Sequence, residues 1–160
     1  MTMTSVLGVV TTVCIGWLIG TELAVWVFVN PVLRKLEEAA QAKAVSLFAA
    51  RLGRAMPFWY GLSLLLLIAE AVAWHRGPSG SLLVIACVIW AAVILLTVLF
   101  LVPINNRMMK LGSEPFTQEA QRQHRRWDML HRWRVVALCV AMVCFLLGSH
   151  CVSPGLPVWR

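Results

Sequence analysis

The chain has 160 residues, of which 60% are hydrophobic and only 13% charged, and its mean hydropathy is +0.79. So few polar residues cannot coat a water-soluble globule of this size, which leaves lipid as the solvent for much of the surface. The net charge of +7 does not indicate a nucleic-acid binder, because the basic residues flank apolar stretches and form no separate domain that could hold a groove.

Four apolar stretches, residues 5–29, 57–74, 82–102 and 133–149, each approach the ~20 residues that cross a ~30 Å hydrocarbon layer. The expected fold is all-α, an integral membrane four-helix bundle forming one domain over residues 1–160. The first stretch exceeds a signal h-region, lacks a basic leader and contains Glu22, Trp17 and Trp26, so it is read as retained. Glu22 lies eight residues before Asn30, where this helix meets one face of the membrane. At about 1.5 Å per residue that is a depth of about 12 Å. Glu22, Trp26 and Asn30 recur at i, i+4 and i+8 and are expected to share one face. Gly16 and Gly20 form a GxxxG on a neighbouring face, where a partner helix can approach closely; a homo-oligomer is left open. Pro31 is expected to end the helix.

The next segment, EEAAQAKAVSLFAARLG, is rich in helix formers. Leu36, Ala40, Val45, Phe48 and Leu52 are spaced for one apolar face, which predicts a helix lying along the membrane surface. The second span leads through Glu70 and His75, expected to be solvated near the far face, into a GPSG turn that makes spans two and three an antiparallel hairpin. In the third span Thr97, Leu101 and Asn105 repeat the i, i+4, i+8 pattern, and PINNR, with Asn105 and Asn106, is expected to end it. Thr117 precedes QEAQRQHRRW as an N-cap, so the fourth helix should begin outside the bilayer and extend into it. On that helix Trp127, His131 and Arg134 form a polar stripe at i, i+4 and i+7, and Asp128 with Arg132 is spaced for an exposed i, i+4 ion pair.

Twelve of the 14 basic residues lie in or beside the two long connections, and only Arg76 and Arg160 fall on the other side. The positive-inside rule then puts both connections in the cytoplasm and both termini outside it, in a multi-pass inner or plasma membrane protein. Trp26, Trp59, Tyr60, Trp127 and Trp133 stand where an interfacial aromatic belt would be, whereas Trp17 and Trp90 are deeper and expected in the core. Cys14, Cys87, Cys139, Cys144 and Cys151 include no CxxC pair and read as buried structural thiols.

Ionisable groups at membrane depth indicate function or a buried pairing. Glu22 can pair with Arg134 to hold the bundle together, or relay a proton. His131 has an Arg and a Trp at helical spacing, which favours a task over an interfacial histidine. No second histidine lies in the spans, so no metal is expected, although a mixed carboxylate and imidazole site stays open.

A four-span chain with VPINNR after the third span and RWDMLHRWR at the mouth of the fourth resembles the anthrone oxygenase-like family of small integral membrane proteins. NPVL (30–33) and MPFWYG (56–61) fit the same layout, and the resemblance covers roughly residues 5–149. It implies oxidation of an anthrone or related phenolic polyketide to a quinone, with molecular oxygen as co-substrate and no cofactor. In that reading His131 is the base and Arg134 stabilises the oxyanion. Asn105 and Asn106 orient substrate oxygens, Trp127 stacks on a flat ring, Glu22 tunes its neighbours, and Trp26, Asn30 and Thr97 complete the lining. The partners are then a small aromatic substrate and the lipid bilayer. The competing readings are a proton-coupled transporter that uses Glu22 and a non-catalytic membrane subunit.

Overall fold

A computed structural model describes residues 3–74, 80–111 and 117–150. The elements are α1 (Met3–Ala24), a π-helical segment (Val25–Val29), α2 (Asn30–Leu33), α3 (Glu38–Ala73), α4 (Gly80–Leu96), a second π segment (Thr97–Leu101), α5 (Val102–Lys110) and α6 (Gln118–His150). They make four continuous rods, Val6–Leu33, Glu38–Ala73, Gly80–Lys110 and Gln118–Ser149, each long and apolar enough to cross a membrane. The fold is an all-α four-helix bundle in which α1 packs on α3 and α6, and α4 packs on α3 and α6. His75, Cys151 and all of GPSG but Gly80 lie outside the described residues.

The rods run longer than the apolar stretches because nothing breaks them where the hydropathy falls. The segment expected on the membrane surface is instead the first half of α3, continuous with the second span. Its buried face is Ala42, Val45 and Ala49, whereas Leu36, Ala40 and Phe48 are exposed. Pro57 sits inside α3. It cannot donate to the carbonyl of Gly53 one turn back, a loss that transmembrane helices accommodate locally. Thr117 does cap α6: its Oγ1 accepts from the Ala120 N–H at 3.3 Å.

Neither Pro31 nor Pro103 ends its helix. A proline inside an α-helix collides with the carbonyl four residues earlier, and here each proline follows a π turn that widens the ladder. The Asn30 N–H reaches Val25 O and the Val102 N–H reaches Thr97 O, both five residues back. The same extra residue corrects the register. Eight α-helical steps would leave Asn30 about 80° from Glu22, but one residue absorbed in a π turn brings it within about 20°. Glu22, Val25 and Asn30 are accordingly all buried. The spacing from Thr97 to Asn105 is treated in the same way.

The main core joins all four rods through Ile15 and Leu18 of α1, Leu67 of α3, Leu83 and Trp90 of α4, and Leu138 and Phe145 of α6. α4 and α6 approach closely at Gly148, where a Cβ would meet Leu83 at 3.0 Å. Trp90 is in this core, but Trp17 is 64% exposed. Hydrocarbon gives an apolar ring no drive toward the interior, and Cys139 is exposed for the same reason. Glu70 departs from expectation in the opposite sense: it is 1% exposed, with Gly8 of α1 beside it. It bonds the Trp74 side chain.

Deleting exposed Phe28 should convert the first π turn to α while keeping Glu22 and Asn30 on one face. The cost should then be that of an unrelieved proline, about 3 kcal/mol. Adding Pro31→Ala to the deletion should recover most of it, as read by unfolding in mild detergent. A deletion that unfolds the protein with or without Pro31→Ala would contradict the register argument.

Candidate active site

Three rods deliver ionisable groups to one depth. Glu22 from α1, Tyr60 from α3, and His131 and Arg134 from α6 form a continuous polar unit. Arg134 Nη2 donates to Glu22 Oε2 at 2.6 Å, and the Tyr60 hydroxyl donates to Glu22 Oε1 at 2.8 Å. The Arg134 guanidinium also lies over the Tyr60 ring, 5.6 Å from its centroid. Every carboxylate oxygen therefore has a strong donor, as a buried charge requires.

The tautomer of His131 follows from its neighbours. Nε2 is 3.1 Å from the backbone carbonyl of Glu22, which can only accept, so Nε2 carries the hydrogen and donates. Nδ1 then presents its lone pair to Arg134 Nη2 at 2.8 Å, with Glu22 Oε2 3.1 Å away. A proton arriving at Nδ1 meets the Glu22 carboxylate directly. The imidazole stacks on Trp127 with centroids 4.7 Å apart and planes 9° apart, and His124 is nearly parallel to Trp127 at 6.3 Å. Trp127 thus lies within a column of rings along α6.

Glu22, Tyr60, His131 and Arg134 line a cavity of about 220 Å³ whose other walls are mostly apolar, with Met56, Ile94, Val98 and Leu101 among them. Drug-sized sites run from ~300 Å³ upward, so this one suits a single small fused ring system. Two buried polar atoms of its lining residues have no hydrogen-bond partner among the described residues, Thr97 Oγ1 and Arg134 Nε. Thr97 is informative by contrast. Thr11, Thr12 and Thr21 each donate to the carbonyl four residues back, as helical threonines do, and no such bond satisfies Thr97. Buried polar groups are rarely left unpaired, and those that are call for an explanation.

Asn105 also lines the cavity and is held by a bond from its Nδ2 to Ala49 O at 3.1 Å. That approach depends on Gly53, where a Cβ would lie 2.8 Å from the Asn105 amide nitrogen. Asn106, one position on, is exposed and outside the lining. Asn30 and Trp26 belong to a second cluster nearer the basic end of the bundle. Asn30 Nδ2 donates to Asp128 Oδ1 at 2.7 Å, Arg34 and Arg132 both bond Asp128 Oδ2, and Arg132 lies over the Trp26 ring. The expected Asp128 and Arg132 pair is present, yet the carboxylate is buried because Asn30 of α2 and Arg34 just after it supply two further donors. Among the described residues no group of three or more His, Cys, Asp and Glu side chains gathers as a metal site.

Tyr60 is the residue that sequence reasoning assigned elsewhere. It is buried in the core, not interfacial, and two features pointed to it: it is the chain's one tyrosine, and it stands at the depth of Glu22.

The family model described as Anthrone oxygenase matches residues 45–144. The chain belongs to the anthrone oxygenase family. The matched segment contains Tyr60, Thr97, Asn105, Trp127, His131 and Arg134, whereas Glu22 lies ahead of it. No curated protein and no solved structure matches the chain.

Removing one member of a buried ion pair strands the other, so Glu22→Ala should destabilise the bundle by about 3–5 kcal/mol. Replacing both partners, Glu22→Leu with Arg134→Met, should restore most of that stability while activity stays lost. Thermal unfolding in detergent reads the first effect and oxygen uptake the second. A double variant as unstable as the single one would show that the pair does more than balance charge.

Proposed function

We propose that the protein is a membrane oxygenase that converts an anthrone or a related phenolic ring system to a quinone with molecular oxygen. The observation that carries this reading is the pairing of an imidazole held beside the Glu22 and Arg134 ion pair with unclaimed polar atoms, Thr97 Oγ1 and Arg134 Nε, in an apolar cavity of ring-system size. Family membership supports it.

The charges balance through the first step. At rest Glu22 is negative, Arg134 positive and His131 neutral, giving one ion pair. The ring methylene of an anthrone lies between two aryl rings and is conjugated with the carbonyl, so loss of its proton leaves a delocalised phenolate. When Arg134 turns toward that oxygen it releases Nδ1, which takes the proton, and Glu22 then faces the new imidazolium. One ion pair becomes two, and no net charge is added to the apolar site. The unclaimed N–H of Arg134 and the Thr97 hydroxyl are the donors available to the substrate oxygen.

The phenolate passes an electron to oxygen, the two radicals combine at the former methylene carbon, and His131 returns its proton to the peroxide. Loss of the second C–H with cleavage of the O–O bond gives the quinone carbonyl and water. Both oxygen atoms and all four electrons are accounted for by substrate and oxygen alone. The reading also places the basic end of the bundle, with Arg34, Arg125 and Arg132, in the cytoplasm.

His131→Ala should lower turnover of a model anthrone by about 10²- to 10⁴-fold, the usual contribution of a positioned base, without preventing membrane insertion. Thr97→Val keeps the shape and removes the hydroxyl, and should weaken turnover by about tenfold, the equivalent of one hydrogen bond. Oxygen consumption by purified protein measures both, and a His131→Ala protein as fast as the parent would exclude this mechanism. A reporter inserted near Glu119 should read as cytoplasmic and one fused after Arg160 as outside. The reverse pattern would overturn the orientation.

A further inference from the structure

The cavity has a side opening defined by two tie points. At one, the Trp90 indole N–H donates to the carbonyl of Tyr60 at 3.2 Å; at the other, Asn105 Nδ2 donates to the carbonyl of Ala49 at 3.1 Å. Between the ties α3 runs from residue 49 to 60, about 16 Å of helix, while the facing rod runs from residue 90 to 105, about 22 Å. The facing rod thus has more residues between the ties than α3 has. The π segment at Thr97–Leu101 and Pro103 lie in that interval, and both are sites where helices bend.

The exposed members of the cavity lining are Gly53 and Pro57 on α3, and Val98 and Val102 on the facing rod. Around them Phe58, Leu95, Leu99 and Phe100 are also exposed, a surface suited only to hydrocarbon. Toward the basic end Asn105 and Trp127 line the cavity, and a smaller pocket adjoins it there. Gly53 and Pro57 project little side chain, so nothing on α3 fills the gap.

We infer that the cavity is loaded sideways from the bilayer through this window, by flat, uncharged aromatic carbonyl compounds dissolved in the hydrocarbon. The inference rests on reading the cavity as the oxygenase site. It gives the exposed rim around the opening, Leu95 and Leu99 included, a role distinct from that of the lining: it sets the rate of passage, and not the strength of binding. A barrier on the loading path changes association and dissociation by the same factor, because the bound and free states are unaltered.

The test uses 9,10-anthraquinone, a ring system without the oxidisable methylene, added to the full-length protein in phosphatidylcholine vesicles, with tryptophan quenching followed by stopped flow. Leu95→Trp and Leu99→Trp, at exposed rim positions outside the cavity lining, narrow the window. Each should slow association and dissociation together by about tenfold or more while Kd stays within about twofold. Val84→Trp, on an exposed part of α4 away from the window, should behave as the parent and controls for the added indole. If both window variants bind and release at parental rates, the window is not the path and the inference fails, whatever the turnover assay gives. If both weaken Kd in step with a faster dissociation, the residues are part of the binding surface and the inference also fails. A parent protein that binds the quinone with the expected window effect but consumes no oxygen with an anthrone keeps the window and loses the oxygenase reading. A parent that binds no quinone overturns both.

Discussion

The bundle is organised around the ion pair between Glu22 and Arg134. Neither charge can remain alone among hydrocarbon and apolar side chains, so α1 and α6 must meet at the height where the two groups face each other. Once they do, the geometry of the rest follows closely. Tyr60 supplies the remaining carboxylate oxygen with a donor and thereby fixes α3 against α1. The carbonyl of Glu22 receives Nε2 of His131, which sets the tautomer and aims the lone pair at the guanidinium. One pair thus determines the packing of three rods and the protonation pattern of the imidazole. The cluster around Asp128 repeats the arrangement closer to the basic end and keeps α1 from rotating about the first contact.

Two local irregularities make those contacts reachable. Each π turn stands immediately before an X-Pro step; Glu22 lies in α1 shortly before the first, and Thr97 opens the second. A wider turn relieves the proline and at the same time shifts later residues back onto the buried face. π turns recur at functional sites, and here the reason is specific: the same device relieves a proline and sets side-chain register.

Much of this could be read in the sequence. The four rods follow from apolar length, and Glu22, His131 and Arg134 stood out because ionisable residues are costly at depth. Their convergence was legible only as depth, since helical spacing orders residues on one rod and says nothing about which rod turns which face to which. Trp26 and Asn30 shared a stripe with Glu22 on paper, and the π turn keeps Asn30 on that face, yet Asn30 bonds Asp128 and Trp26 meets Arg132, because both lie nearer the basic end than Glu22 does. Tyr60 and Trp17 were misplaced for a common reason. In lipid, aromatic residues inside and outside a bundle have the same apolar surroundings, so pattern alone does not tell them apart. Glu70 was taken as solvated because it nears a span end, and position along a span does not tell which face of the helix a residue takes.

The ion pair joins residues 112 positions apart in the chain, and that separation has a consequence in time. At ~5–20 residues per second of synthesis, Arg134 leaves the ribosome roughly 6–20 seconds after Glu22. Throughout that interval α1 carries a carboxyl group whose cation has not been made, and the single tyrosine of α3 can offer it only one hydrogen bond. The helix that reaches the membrane first is therefore the last to be satisfied there. Biogenesis of this small bundle depends on whatever shelters α1 at the insertion machinery until the fourth rod arrives.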